Sequence, residues 1–97
     1  MKKYSKREIA EISASVMGID IPNGWDGINP VLPMIDRIRS DGAVFVLKWD
    51  GEREKLGFTV VVTGKRLGEA FLRIDTGTLE EALCYGIGNY ADLVWRT

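Results

Sequence analysis

Histidine is absent from this 97-residue sequence. With it go the commonest general base and the commonest metal ligand, and so the usual nucleophile–base pairs and most zinc arrangements. Cysteine occurs once, as Cys84, which excludes an internal disulfide and fits a reducing compartment. An excess of one charge is lacking too: 13 Lys and Arg stand against 14 Asp and Glu, and a net charge of -1 offers nothing that phosphate backbones reward. Nucleic acid is therefore an unexpected partner. No run approaches the roughly 20 apolar residues that span a bilayer, so no membrane is expected either. The basic start at Lys2, Lys3, Lys6 and Arg7 leads into a segment holding Glu8 and Glu11 instead of an apolar stretch with a cleavage site. It reads as a solvated terminus, not a secretory signal, and the protein is expected in the cytoplasm.

What is present is ordinary globular composition, 45% hydrophobic and 28% charged, which predicts one core and a single domain over residues 1–97. So short a chain leaves much of its surface unburied, and self-association is an expectation from the outset.

The local signals predict two helices, three strands and a helix. Ser5-Lys6-Arg7-Glu8 has the spacing of a capping box, in which each side chain satisfies the other's free backbone amide. Ile9, Ile12, Val16 and Met17 then recur at helical spacing before Gly18, where a left-handed cap is wanted, so residues 5–17 are a helix. Pro22, Asn23-Gly24 and Gly27 make residues 19–28 a loop that positions Trp25. A second helix carries Val31, Met34, Ile35 and Ile38 on one face and ends at Gly42; Asn29-Pro30 and Pro33 compete for its start. Residues 43–49, 58–63 and 70–74 are rich in β-branched and aromatic side chains, and their short links imply antiparallel pairing. Thr78-Leu79-Glu80-Glu81 is a second capping box, opening a last helix through Leu83, Ile87 and Tyr90. Gly86 and Gly88 inside it require close approach to the sheet or an early end near Gly88.

The strands are apolar on both faces. Val44 and Val46 point one way, and Phe45, Leu47 and Trp49 the other; Val60 and Val62 alternate with Val61, and Leu72 and Ile74 with Phe71. That pattern predicts an α+β fold of order α-α-β-β-β-α, a three-stranded antiparallel sheet with helices on both faces, in other words an α/β/α sandwich. Leu47, Trp49, Val60 and Leu72 are expected in its core.

No catalytic, cofactor or metal site is expected. Cys84 lies beside Leu83 and Ile87, where a buried hydrophobe is the economical reading. The interval from Gly57 to Gly64-Lys65 departs from a phosphate-binding loop in spacing and in Arg66. Glu52 with Glu54 falls in a charged hairpin, and Glu80 with Glu81 suits a helix start. A binding surface is the remaining candidate. Trp25 in its loop, Arg66 and Arg73 near strand ends, Phe71, and Trp95 in the apolar tail with Leu93 and Val94 are the residues for it. Aromatic rings and guanidinium groups suit flat anionic ligands, and an apolar patch beside a sheet edge suits a partner. A two-fold homodimer through an edge at 43–49 or 70–74 is expected.

The order helix, three antiparallel strands, helix resembles the double-stranded-RNA-binding domain and its degenerate form in HicB-like antitoxins. Glu80-Glu81 stands where the former has a lysine pair, so that activity does not carry over; Thr78-Leu79-Glu80-Glu81-Ala82-Leu83 is similar to the HicB-like helix start. A broader resemblance is to the phage ABA sandwich domain of small phage and prophage proteins. It rests on Arg7-Glu8-Ile9 closing on Val16-Met17-Gly18, on Ile35-Asp36-Arg37-Ile38-Arg39 before Gly42, and on Asp75-Thr76 before the last helix, with a departure from Ile19 to Asn29. The resemblance implies α/β/α layers and no catalytic residues. The expected function is that of a phage or prophage accessory protein acting by binding, to a host protein or to itself. The alternatives are a small-molecule or nucleotide-signal binder and a HicB-like antitoxin-type module.

Overall fold

The structure is a computed structural model that describes residues 1–96. The first capping box closes on both sides: Glu8 N–H donates to Ser5 Oγ at 3.1 Å, and Ser5 N–H donates to Glu8 Oε1 at 3.0 Å. Helix α1 (Lys6–Ile12) follows, runs on as a wider turn over Ser13–Met17, and stops at Gly18 in the left-handed conformation, φ 67°. Both prolines that compete for the second start are used. Pro30 sits in a single 3-10 turn, Asn29–Val31, and Pro33 in the first turn of α2 (Leu32–Ser40), where a missing N–H costs nothing.

Strands β1 (Val44–Trp49), β2 (Phe58–Thr63) and β3 (Leu72–Thr76) form an antiparallel sheet of order β1-β2-β3. The third begins two residues later than the side-chain pattern suggests. A 3-10 turn at Lys65–Leu67 and Gly68 at φ 64° intervene, and Ala70 N–H bonds back to the Leu67 carbonyl instead of joining the ladder.

Helix α3 (Leu79–Tyr90) continues as a wider turn over Ala91–Trp95. Its capping box is one-sided: Thr78 Oγ1 accepts from Glu81 N–H, but the Glu81 carboxylate accepts from the Thr78 hydroxyl and not from its amide. The glycines do not end it. A Cβ on Gly86 would lie 3.0 Å from Val60 and 3.1 Å from Phe45, so this glycine is the close approach of helix to sheet. At Gly88 a Cβ would lie 2.4 Å from the Tyr4 ring, which fills the space instead.

The α+β order, the antiparallel sheet and the helix-on-sheet sandwich form as the sequence implies. The distribution of cover is different from that expected. α3 packs on β2 and β3, α2 on β1 and α3, and α1 on α3. The face bearing Val60, Val62 and Leu72 is fully buried, with Phe45, Leu47 and Ile74 half-buried around it. Each fully withdrawn Val or Leu contributes about 1.5–3 kcal/mol. On the opposite face Val44 is 57% and Val46 46% exposed, so the expectation of helices on both faces is corrected.

The reason lies in the connections. α1, the helix free to cross to the other side, is tied to α3 through its leading segment: Asn89 Nδ2 donates to the Lys2 carbonyl at 2.8 Å and Lys2 N–H donates back to Asn89 Oδ1. Trp25 fastens its first residue, donating from Nε1 to the Lys6 carbonyl at 2.8 Å.

Trp49 departs from expectation as well. It ends the edge strand beyond the reach of the helices, is 58% exposed, and meets Phe58 edge-on at 6.1 Å. Among the described residues no helix is long and apolar enough to cross a membrane.

Candidate functional site

The register fixes what the open face presents. Val44 stands opposite Thr63, and Phe71 lies one step beyond the last pair of β2 with β3, beside Thr63. The next row is Val46, Val61 and Arg73, and the last is Lys48, Thr59 and Asp75. One end of the face is thus apolar, with Phe71 62% exposed, and the other is charged.

The charged end is an interlocked set. Asp75 accepts from the Thr59 hydroxyl and pairs with Arg53 at 3.2 Å and Arg73 at 3.5 Å. Arg53 also pairs with Asp50, as does Lys48. The Thr59 hydrogen bond is the main reason the Asp75 carboxyl lies below the usual range; burial opposes it, and the two guanidinium groups add to it. These contacts pin the β1–β2 hairpin across the sheet to β3.

Of the five residues proposed for a binding surface, Phe71 and Arg73 lie on this face. Arg66 and Trp95 come together elsewhere, at Asp41, and Trp25 stands apart from both groups. Trp25 is buried, its indole N–H spent on the Lys6 carbonyl, so its candidacy as a stacking platform is withdrawn. Trp95 folds back over its own chain: its Nε1 donates to Asp41 Oδ2 at 2.8 Å, its ring meets Tyr90 edge-on at 5.3 Å, and Arg37 lies 5.7 Å from its centroid. Trp95 is therefore an internal brace, while Val94 is half-buried and Leu93 is exposed. Arg66 pairs with Asp41 at 3.2 Å.

Asp41 is the residue that sequence reasoning missed. An aspartate before a glycine at a helix end reads as a turn former, and nothing local announces that Tyr90 and Trp95, about fifty positions on, both donate to it. Burial pushes its carboxyl up, but those two hydrogen bonds, with Arg66 and Arg37, outweigh burial and hold it below the usual carboxylate range. The cluster thus ties the end of α2 to Tyr90, Trp95 and Arg66 and braces the fold. Burial is the main cause that pushes the Cys84 thiol up to about 12.

Sequence reasoning also missed an open cleft of about 560 Å³ at the hairpin end of the sheet. Trp49, Leu56 and Phe58 line it together with Arg53, Glu54 and Lys55. Leu56 takes a left-handed φ of 53°, unusual for its residue type, and is exposed. Among the described residues no group of three His, Cys, Asp or Glu side chains is placed to hold a metal ion. No family model, curated protein or solved structure matches the chain.

Proposed function

We propose that this chain is a phage or prophage accessory protein that acts by binding, without chemistry of its own, and that the β1 side of its sheet is the contact surface, first for a second copy of itself. One observation carries the reading. The strands are apolar on both faces, and among the described residues the helices cover one of them and leave Val44, Val46 and Phe71 half exposed on the other. Exposed apolar residues gathered on one face mark interaction surfaces. The sequence supports the absence of chemistry through its lack of histidine.

The test is the concentration dependence of thermal unfolding, since association with the folded state raises the midpoint as protein is added. The midpoint rises with concentration for the natural chain and becomes independent of it for Val46→Asp, whose circular dichroism is unchanged. A midpoint independent of concentration in both removes self-association and leaves a host protein as the partner.

A second reading is favoured by the cleft. An exposed tryptophan ring beside Lys55 suits a flat ligand with an anionic group, such as a nucleotide signal. The site is then Trp49 with Leu56 and Phe58, in place of Trp25, Arg66 and Arg73. A thermal-shift screen with cyclic nucleotides decides it: a shift lost in Trp49→Ala supports this reading, and no shift at millimolar ligand removes it.

A further inference from the structure

We infer that two copies pair through β1, antiparallel and centred on Val46, so that Val46 faces its own counterpart and the two sheets become one of six strands; this rests on the self-association proposed above. β1 is bonded on one side only. Among the described residues, no backbone hydrogen bond outside its pairing with β2 reaches Val44–Trp49. Such an edge presents a row of free donors and acceptors to another strand. The opposite edge is less suited: β3 carries Arg73 and Asp75 outward, and Lys3 and Tyr4 lie beside its Ile74 and Thr76.

Charge selects edge pairing over stacking of the open faces. Stacking would withdraw Lys48, Arg53, Arg73 and Asp75 from water, and desolvating charges costs more than their mutual attraction readily returns. Edge pairing leaves all four at the surface.

Symmetry then limits the register. In an antiparallel two-fold pair the residues directly opposite each other share a face, so the axis falls on a residue and not between two. With Val46 at the centre, Val46 meets Val46 and Val44 lies under the aliphatic stem of the second copy's Lys48. On the other face Phe45 meets Leu47, and Trp49 meets Ala43, small enough to leave room for the indole. All three exposed apolar residues of β1 gain cover, and the two Lys48 ammonium groups stay at opposite ends. Centring on Leu47 sets Val44 against Asp50 and brings the two Lys48 to diagonal neighbours. Centring on Phe45 carries Trp49 past the strand to Asp41, which is already engaged.

The experiment is cysteine cross-linking under mild oxidation, read on non-reducing gels beside sedimentation of the natural chain. Opposed residues of antiparallel strands have Cα atoms about 4.5–5.5 Å apart, within the reach of a disulfide, whereas diagonal neighbours are about 7–8 Å apart. Val46→Cys gives a covalent dimer and Leu47→Cys does not. The natural chain, whose Cys84 is buried, gives none and serves as the internal control. If the natural chain sediments as a dimer but Val46→Cys fails to link, or Leu47→Cys links in its place, this pairing is wrong while self-association stands. If the natural chain sediments as a monomer, both fall.

Discussion

Val60, Val62 and Leu72 on one face of the sheet and Val44, Val46 and Phe71 on the other are similarly apolar, yet the first three are withdrawn from water and the second three are about half exposed. The alternation along a strand records which side chains require cover; it does not record who supplies it. On the inner face α3 supplies it, close enough that Gly86 cannot be a larger residue without a shift of Val60 or Phe45. On the outer face, among the described residues, no helix withdraws Val44, Val46 or Phe71 from water.

The sharpest way to break this contrast is to truncate both faces. Leu72→Ala costs about 2–5 kcal/mol by chemical denaturation, through lost transfer energy and a cavity, and Val60→Ala costs less in proportion to its smaller side chain. Val44→Ala in dilute protein stays within about 0.5 kcal/mol of the natural chain. Similar losses on the two faces would mean that the outer face is covered within the monomer.

Next in size is the closure of the helix layer. Asp41→Ala leaves the Tyr90 hydroxyl and the Trp95 indole N–H without their acceptor and is expected to cost about 1.5–3 kcal/mol. The Asp41 carboxyl is held below its unfolded value, so its contribution is complete above the unfolded pKa of about 4 and is lost as pH falls through the folded value. The acid limb of the natural chain's stability profile is therefore steeper than that of Asp41→Asn; superimposable limbs would remove Asp41 as the brace.

Gly88→Ala follows at about 1–3 kcal/mol, because the new methyl displaces the Tyr4 ring that anchors the leading segment to α3. Tyr4 is further held by its hydroxyl on Asp92, so it has little freedom to yield. Smallest are the caps. Ser5→Ala and Thr78→Ala each cost about 1 kcal/mol, with Thr78 the larger because α3 carries the sheet contacts while α1 lies near a terminus. No change in the midpoint of either variant would remove the capping account.

The local features were legible because each depends on a few neighbouring residues. The Ser5 box, the Gly18 cap and the antiparallel hairpins answer to chemistry within about ten positions. What the sequence hid depends on distant segments. Trp25 meets the Lys6 carbonyl, Trp95 meets Asp41, and Trp49 is left out at a strand end, and nothing local separates these three tryptophans. The candidate site was read only in part for the same reason. Phe71 and Arg73 do reach the open face, but Val44 and Val46, its β1 part, looked like core until the side on which the helices land was known.

The central claim is that the open β1 side is covered by a second copy, and sedimentation equilibrium of the natural chain at tens of micromolar tests it most directly. The account predicts a species of twice the monomer mass that Val46→Asp reduces to a monomer and that Trp95→Asp, altering only the internal brace, does not. A single monomeric mass across that range, or a dimer indifferent to Val46→Asp, would contradict it.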